Sequence, residues 1–326
     1  MASLSSQGGT VAGVGEAQTR TTKRGRVEVL INASSGADDK ELLSEQLGKL
    51  LAESGIEAHV TLVRDGAKTV GLAERAVAER CRMVVAGGGD GTINAVASAL
   101  VDTEVVLGVL PLGTLNHFAK DLRIPLDLEG AVRNLSEGRV ASVDVGEVNG
   151  RVFINNSSLG LYPSIVRSRE KQQERLGRGK WTAFVWAVLN VFRKYPFLNV
   201  RLEADGQRLV RRTPFVFVGN NEYQMESFQI GARACLDAGH LSLYVTHRTT
   251  RLGLLRLALR ALFGGLREAK DFDALQAREI WIETRRRKRL RVATDGEVTL
   301  MQTPLYYRTR PCALRVVVPK DMDDGR

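Results

Sequence analysis

The sequence of 326 residues has few cysteines and no long apolar run, and both absences exclude classes of protein. Cys81, Cys235 and Cys312 show neither a pairing pattern nor metal-ligand spacing, so no disulfide framework and no zinc site is supported. A reduced, cytoplasmic compartment is therefore expected. Without an apolar run of about 20 residues, no transmembrane helix is predicted. Residues 1–24, rich in Ser and Gly, lack a signal-peptide pattern and are expected to form a disordered tail.

The overall composition is that of a soluble globular protein, with 44% hydrophobic and 26% charged residues. The net charge of +10 is unevenly distributed, because residues 1–150 carry −5 and residues 151–326 carry +15. A basic second half predicts attraction to an anionic partner, either nucleic acid or a membrane surface. The basic runs lack interleaved aromatic residues and no recognition motif is present, so nucleic acid is not expected as a partner.

Short apolar runs alternate with amphipathic stretches in the first half of the chain. The strand-like runs cover residues 27–31, 58–63, 83–86 and 105–110, and the helical stretches cover residues 38–53, 70–80 and 93–100. This alternation is typical of a parallel sheet with helices on both faces. Ligands of such sheets bind at the carboxyl ends of the strands.

After about residue 138 the pattern changes to strand-like runs joined by turn residues. The runs cover residues 143–148, 152–155, 200–202, 215–218, 241–246, 280–283, 290–293 and 314–318, with helical stretches near 164–194 and 250–268. We therefore predict an α/β domain over residues 25–140 and a mostly β domain over residues 141–320.

The most distinctive local feature is a glycine-rich turn, Ala-Gly-Gly-Gly-Asp-Gly-Thr-Ile-Asn at residues 86–94, between a buried strand and a helix. Glycine lets the backbone approach a ligand closely, and the amides of a helix N-terminus attract a phosphate. The carboxylate of Asp90 could position a hydroxyl or a magnesium ion, or it could simply cap a helix. The turn matches neither the Walker phosphate loop nor the dinucleotide-binding fingerprint.

A second loop follows the next predicted strand, with the sequence Leu-Pro-Leu-Gly-Thr-Leu-Asn-His-Phe-Ala at residues 110–119. Thr114 and Asn116 could bind a nucleotide, although a Pro-Gly turn capped by Asn116 is the alternative. Because two such loops leave adjacent strands, a shared ligand site is favoured over two unrelated turns.

These two motifs resemble the lipid kinase family typified by the diacylglycerol kinase catalytic domain, which includes sphingosine and ceramide kinases. They are more distantly similar to NAD kinases and phosphofructokinases. The resemblance implies an α/β domain and a β-sandwich-like domain, with ATP bound in the cleft between them. It further implies an enzyme of lipid metabolism that uses magnesium and phosphorylates a hydroxyl of a diacylglycerol-like lipid.

The resemblance also assigns roles to individual residues. Asp295, in Thr-Asp-Gly-Glu at residues 294–297, would be the general base, with Glu297 as the alternative, and Asp90 is a third catalytic candidate. Taken in isolation, Asp295-Gly296 would be a hairpin turn. The residues implied in nucleotide binding are Asn32, Ser35, Gly36, Thr61, Gly88, Gly89, Asp90, Gly91, Thr92, Ile93, Asn94, Gly113, Thr114 and Asn116.

Further segments carry the resemblance, with one departure. Asp144 matches an Asp-x-Gly strand, and Gly219-Asn220 matches a Gly-Asn segment after a buried strand. Ala238 stands where bacterial relatives have an aspartate that holds a structural magnesium, so Asp237 or water would have to compensate. We therefore assign no metal ligand in this chain and expect magnesium to arrive with ATP.

Apolar and basic segments of the second half predict peripheral attachment to an anionic membrane. Residues 181–192 are apolar but too short to span a bilayer. Residues 252–266 combine leucines with arginines as interfacial helices do, and residues 285–291 form a basic run that is either a headgroup site or a solvated loop. An NAD kinase or a non-catalytic lipid- or nucleotide-binding homologue is the alternative function. The acceptor lipid and the oligomeric state, including a homodimer, stay open.

Overall fold

The computed structural model describes residues 25–33, 37–160, 198–223, 233, 235–246, 272–284 and 287–322. Several predictions lie outside these residues: the tail at 1–24, the loop residues Ser35 and Gly36, and both helical stretches of the second half. The first two residues of the basic run at 285–291 also lie outside them.

The first half alternates strands and helices, as its hydrophobic pattern predicted. In chain order the elements are β1 (Val27–Asn32), α1 (Ala37–Glu53), β2 (Ala58–Val63), α2 (Ala67–Ala78), β3 (Met83–Gly88), α3 (Asp90–Leu100), β4 (Val106–Pro111), α4 (His117–Asp121) and α5 (Leu128–Glu137). The predicted bounds of β2 coincide with the observed ones. Those of β1, β3 and β4 differ by one or two residues at either end.

The four strands of this half are parallel and adjacent, in the order β2-β1-β3-β4, within a sheet that we call sheet A. Helices α2, α3 and α4 cover one face, where Ile93 and Phe118 are buried, and α1 and α5 cover the other, where Leu47 is buried. Gly88 pairs with Pro111 at the carboxyl ends of β3 and β4. The two glycine-containing loops therefore leave neighbouring strand ends, as expected.

The second half contains strands and no helix within the residues described. They are β5 (Arg139–Val148), β6 (Arg151–Phe153), β7 (Asn156–Gly160), β8 (Leu198–Ala204), β9 (Gln207–Thr213), β10 (Phe215–Asn220), β11 (Leu241–Thr246), β12 (Phe272–Ala277), β13 (Glu279–Thr284), β14 (Arg289–Thr294), β15 (Glu297–Gln302) and β16 (Leu305–Val318). In the part of the chain that is described, no helix is long and apolar enough to cross a bilayer.

The long strand β16 joins the two halves of the molecule. Val316 pairs with Leu107 of β4 in parallel, whereas Leu305 pairs with Ile282 of β13 in antiparallel. Strand β5 runs antiparallel to β16 along its other edge, with an irregularity between Arg310 and Leu314. Sheet A is therefore one sheet of ten strands that is parallel at one end and antiparallel at the other.

The antiparallel end of sheet A packs on a second sheet, sheet B, of six antiparallel strands in the order β12-β11-β10-β7-β14-β15. Their shared core contains Ile280 and Tyr307 from sheet A and Leu159, Val218 and Val292 from sheet B. This arrangement confirms the predicted fold class, a parallel α/β unit followed by a β-sandwich-like unit. The division of the chain near residue 140 stays a prediction.

Candidate functional site

The glycine-rich turn connects β3 to α3 and is held in contact with the second loop. Gly89 is the N-cap of α3, with extended backbone at φ −86° and ψ −177°. A Cβ on Gly88 would lie 2.6 Å from Thr92 Oγ1, and a Cβ on Gly113 would collide with the Cα of Gly89. Because only hydrogen atoms fit at these positions, glycine brings the two backbones together in front of the N-terminus of α3.

Two predicted nucleotide-binding residues, Asn32 of β1 and Thr61 of β2, have different hydrogen-bond partners. The Asn32 amide, at the end of β1, donates to Thr92 Oγ1 at 3.1 Å and so belongs to the glycine-rich turn. The Thr61 hydroxyl instead donates to Glu28 Oε1 at 2.8 Å, beside His59. Glu28 lies near the start of β1, so Thr61 is directed away from the strand end that carries the turn.

Asp90 caps a helix, although not the one that it begins. Its two carboxylate oxygens accept the backbone N–H groups of His117 at 3.2 Å and Phe118 at 3.1 Å, at the start of α4. Asn116, with φ of +50°, accepts from the Gly113 N–H and donates to the Pro111 and Gly113 carbonyls. Both side chains thus fix the second loop against the first.

The remaining predicted residues of the two loops differ in what they offer a ligand. Thr114 and Gly91 are exposed, whereas Ile93 is fully buried in the core. The side-chain oxygen of Asn94 is buried without a hydrogen-bond partner. The N–H groups of Thr92 and Ile93 both donate to the Gly89 carbonyl, at 3.0 and 3.1 Å, so Thr114 and Gly91 are accessible positions of the two loops whereas Ile93 is not.

Asp295 lies in the tight turn of the β14–β15 hairpin, where Asp295 and Gly296 have φ of +46° and +87°. These positive angles are those of a type I′ turn, so the hairpin interpretation is correct as local geometry. The carboxylate has a further function. It accepts the N–H groups of Ile154 at 2.7 Å and of Asn155 and Asn156 at 2.9 Å each.

The surroundings of Asp295 make its carboxyl group weakly acidic. Burial raises the pKa of Asp295 to about 6, against the opposing effects of the three backbone N–H donors and of Arg233. Each carboxylate oxygen has two lone-pair directions, so three donors leave room for a substrate hydroxyl. A carboxylate that protonates near pH 6 is suited to accept a proton at neutral pH.

Glu297, the alternative base, is differently placed. Its carboxylate is 2.6 Å from the guanidinium of Arg151, and its side chain is 72% exposed. Glu297 thus differs from the half-buried Asp295 in its exposure and in having a cationic partner.

Sequence reasoning missed Arg233, a fully buried arginine that lies between the two parts of the site. Its Nε is 2.8 Å from Asp121 Oδ2 on α4, and the guanidinium is 0% exposed. The same guanidinium donates to the Ile154 carbonyl at 2.7 Å and to Asn155 Oδ1 at 3.0 Å. Nothing local in the sequence identifies this pair, because the two partners are 112 residues apart.

The backbone at residues 154–156 is held from several directions. Asn220, from the predicted Gly-Asn segment, donates to the carbonyls of Ile154 and Asp144. The hydroxyl of Tyr223 donates to the Asn155 carbonyl at 2.9 Å. The motifs around Asp144, Asn220 and Asp295, which are far apart in sequence, thus meet at one place.

The residues around Ala238 do not fit a resident magnesium ion. Both carboxylate oxygens of Asp144 accept backbone N–H groups, from Cys312 at 2.8 Å and Gly239 at 2.6 Å. Asp237 is exposed, and no group of three potential acidic, His or Cys ligands occurs among the described residues. Magnesium usually takes at least one carboxylate ligand, and Ala238 supplies none here, while the Asp144 carboxylate is already engaged by two backbone N–H groups.

A glycine-lined helix N-terminus on an α/β unit, together with a half-buried carboxylate whose pKa is raised to about 6, is an arrangement suited to an enzyme of phosphoryl transfer. Comparison with known families agrees. Residues 26–148 match the profile of the diacylglycerol kinase catalytic domain, and residues 164–318 match the YegS C-terminal NAD kinase beta sandwich-like domain. The chain belongs to this family of lipid kinases, as its motifs predicted.

Individual relatives support this assignment over most of the chain. A "Probable lipid kinase YegS-like" of Klebsiella pneumoniae is 37% identical over 300 residues, covering 90% of this chain and 96% of the relative. A "Diacylglycerol kinase" of Staphylococcus aureus is 28% identical over 232 residues, covering 69% and 72%. The fold is similar to that of a diacylglycerol kinase from Bacillus anthracis, with a TM-score of 0.65, 19% identity and coverage of 90% and 96%.

Proposed function

We propose that this kinase transfers a phosphoryl group from ATP to a hydroxyl of a diacylglycerol-like lipid, with Asp295 as the general base. One observation carries the proposal. The Asp295 carboxylate is oriented by the three backbone N–H groups of residues 154–156. Arg233 binds the Ile154 carbonyl of the same segment and pairs with Asp121 on α4, the helix whose first N–H groups Asp90 accepts. A proton acceptor is thereby tied to the phosphate-binding loops.

The chain's own residues fit a nucleotide at the two loops. A Cβ on Gly88 or Gly113 would collide with Thr92 or with the Gly89 backbone and force the two loops apart, and Gly91 borders open space. The amides at the N-terminus of α3 would bind phosphate oxygens, with Thr114 beside them. ATP supplies the transferable phosphoryl group, and magnesium carried with it neutralises charge.

The contribution of Asp295 is proton transfer. Its carboxylate accepts the proton of the attacking lipid hydroxyl, while the backbone of residues 154–156 holds it in one orientation. Above pH 6 the group is mostly ionised and ready to accept. Glu297, exposed and paired with Arg151, serves the hairpin rather than the reaction.

A diacylglycerol does not leave the bilayer readily, so a kinase that phosphorylates it has to meet it at the membrane surface. Arg289 and Arg291 are exposed on β14, and Leu300, paired with Arg291 on β15, is 57% exposed. Basic residues beside an exposed leucine favour peripheral binding to anionic lipid at the cytoplasmic face.

Labelled ATP offered with a panel of acceptors tests the proposal. Diacylglycerol in anionic vesicles should become labelled in a magnesium-dependent reaction, whereas NAD should not. Labelling of NAD alone would establish the NAD kinase alternative, and ATP binding without labelling of any acceptor would establish the non-catalytic one.

A further inference from the structure

We propose that Arg233 is a positioning residue that connects the phosphate-binding loops to Asp295 and holds the base in its working orientation. The inference rests on the proposed function, since it concerns the same base. It goes beyond that function by assigning the reaction a residue that contacts neither nucleotide nor lipid.

The contacts of Arg233 form a continuous path across the site. On one side its guanidinium pairs with Asp121 at the end of α4, the helix whose first N–H groups are held by Asp90. On the other side it binds the Ile154 carbonyl and the Asn155 side chain. These are two of the three residues whose N–H groups orient Asp295.

The chemistry of the guanidinium suits this task. Arginine has five N–H donors in a rigid fork, and here the fork reaches α4, residues 154–155 and the Asn220 carbonyl at once. Its plane also lies near the rings of Phe118 on α4 and Tyr223, with centroid distances of 5.9 and 5.7 Å. Lysine could supply the charge but not N–H donors that point in several fixed directions.

A displacement of α4 is therefore transmitted to the base through a rigid charged group. Among the described residues the ionisable groups that face Asp295 are Arg233 and Tyr223, with Asp121 behind Arg233. The positive charge of Arg233 lowers the pKa of Asp295. Neither Tyr223 nor Asp121 carries a positive charge that could replace it. Loss of Arg233 should thus disturb both the geometry and the titration of the base.

The test uses Arg233→Lys, Arg233→Met and the double variant Asp121→Asn/Arg233→Met in the full-length enzyme. The double variant removes both charges of the buried pair, so it avoids a lone buried carboxylate. A matched control, Glu147→Gln/Arg308→Met, removes an arginine–carboxylate pair that lies between β5 and β16.

We expect the double variant to be more thermally stable than Arg233→Met. Its kcat should nevertheless stay about 10- to 100-fold below that of wild type, because the misplacement of a catalytic group costs this much. The KM for ATP should change less than twofold and the acid limb of the pH–rate profile should move to higher pH. Arg233→Lys should keep that limb near its wild-type position with a lower kcat, and the control pair should retain wild-type kcat.

Recovery of kcat together with stability in the double variant would overturn the inference and leave Arg233 as a structural residue. The pKa of Asp295, followed by carbon-13 NMR of labelled aspartates, provides a readout that needs no turnover. If wild-type protein phosphorylates no lipid, the proposed function fails, whereas an unchanged pKa in the double variant contradicts the role of Arg233 by itself.

Discussion

The glycine-rich turn at residues 86–94 and the carboxylate of Asp295 serve one proposed reaction but are built at different ranges along the chain. In the turn, Gly88 meets Thr92 four residues later and the two loops leave adjacent strands. Around Asp295, the Ile154 N–H that binds the carboxylate is 141 residues away. The local backbone geometry of the turn is visible in sequence, whereas the distant backbone amides that hold the Asp295 carboxylate are not.

The largest effect should follow from removing the base. Asp295→Asn should lower kcat by about 10²- to 10⁴-fold, the range usually lost with a general base. Initial rates of lipid phosphorylation at saturating ATP measure this. A kcat within threefold of wild type would show that Asp295 is not the base.

A substitution in the glycine-containing loops should lower the affinity for ATP. Gly113→Val would force the second loop away from the Gly89 Cα, with an overpacking cost of about 1–3 kcal/mol and a large loss of ATP affinity. Calorimetric titration with ATP measures the affinity, and thermal melting measures the stability. Gly71→Val is the matched control, because a Cβ there meets nothing within 4 Å. Equal ATP affinity in both variants would show that the loops do not form the nucleotide site.

The pH–rate profile separates Asp295 from an ordinary carboxylate. The base has to be ionised, and burial raises its pKa to about 6, so kcat/KM should fall tenfold per unit below pH 6 and level off above it. Profiles recorded in several buffers at constant ionic strength measure the midpoint. An acid limb near pH 4, typical of an exposed carboxylate, would contradict the assignment.

The exposed arginines of β14 should contribute to membrane binding but not to ATP binding. Arg289→Glu/Arg291→Glu should weaken binding to anionic vesicles at least about tenfold at low salt, since each basic residue contributes about 1 kcal/mol. Flotation with neutral and anionic vesicles at two salt concentrations measures it. Arg75→Glu/Arg208→Glu makes the same charge change at other exposed sites. Equal losses in both double variants would reduce the effect to net charge.

Replacement of the exposed acid should have the smallest effect. Glu297→Gln breaks an exposed ion pair with Arg151, and such pairs contribute about 0–1 kcal/mol to stability. Its kcat should stay within about threefold of wild type, because a side chain outside the reaction leaves transition-state stabilisation unchanged. A loss comparable with that of Asp295→Asn would move the base to Glu297.

The elements of the first half were predictable because buried parallel strands are nearly continuous apolar runs, as in Val-Val-Leu-Gly-Val-Leu at residues 105–110. Strands β7, β9, β12 and β15 were missed, and β7 and β9 show the opposite pattern. Strand β7 reads Asn-Ser-Ser-Leu-Gly and uses its hydroxyls inside the sandwich, where Ser157 contacts Tyr307. Strand β9 carries three arginines at the edge of sheet A, so it lacks an apolar signature. The short helices α4 and α5 were missed as well.

Within the site, Asp295 was identified through its resemblance motif, and the loops through their glycines. Arg233, Asp121 and Tyr223 were not identified, because each acts through backbone carbonyls or partners that only the folded sheets bring together. Asp90 was identified but its observed partner, the start of α4, follows from the contact between the loops rather than from the turn itself.

The division of tasks between the two ends of the site is tested most directly by titrating the Asp295→Asn variant with ATP in a calorimeter. We expect a dissociation constant for ATP within about twofold of wild type, which is a change of less than about 0.5 kcal/mol in binding free energy, in a protein that no longer phosphorylates lipid. Loss of ATP binding in this variant, or transfer of phosphate to lipid at close to the wild-type rate, would contradict this division of tasks.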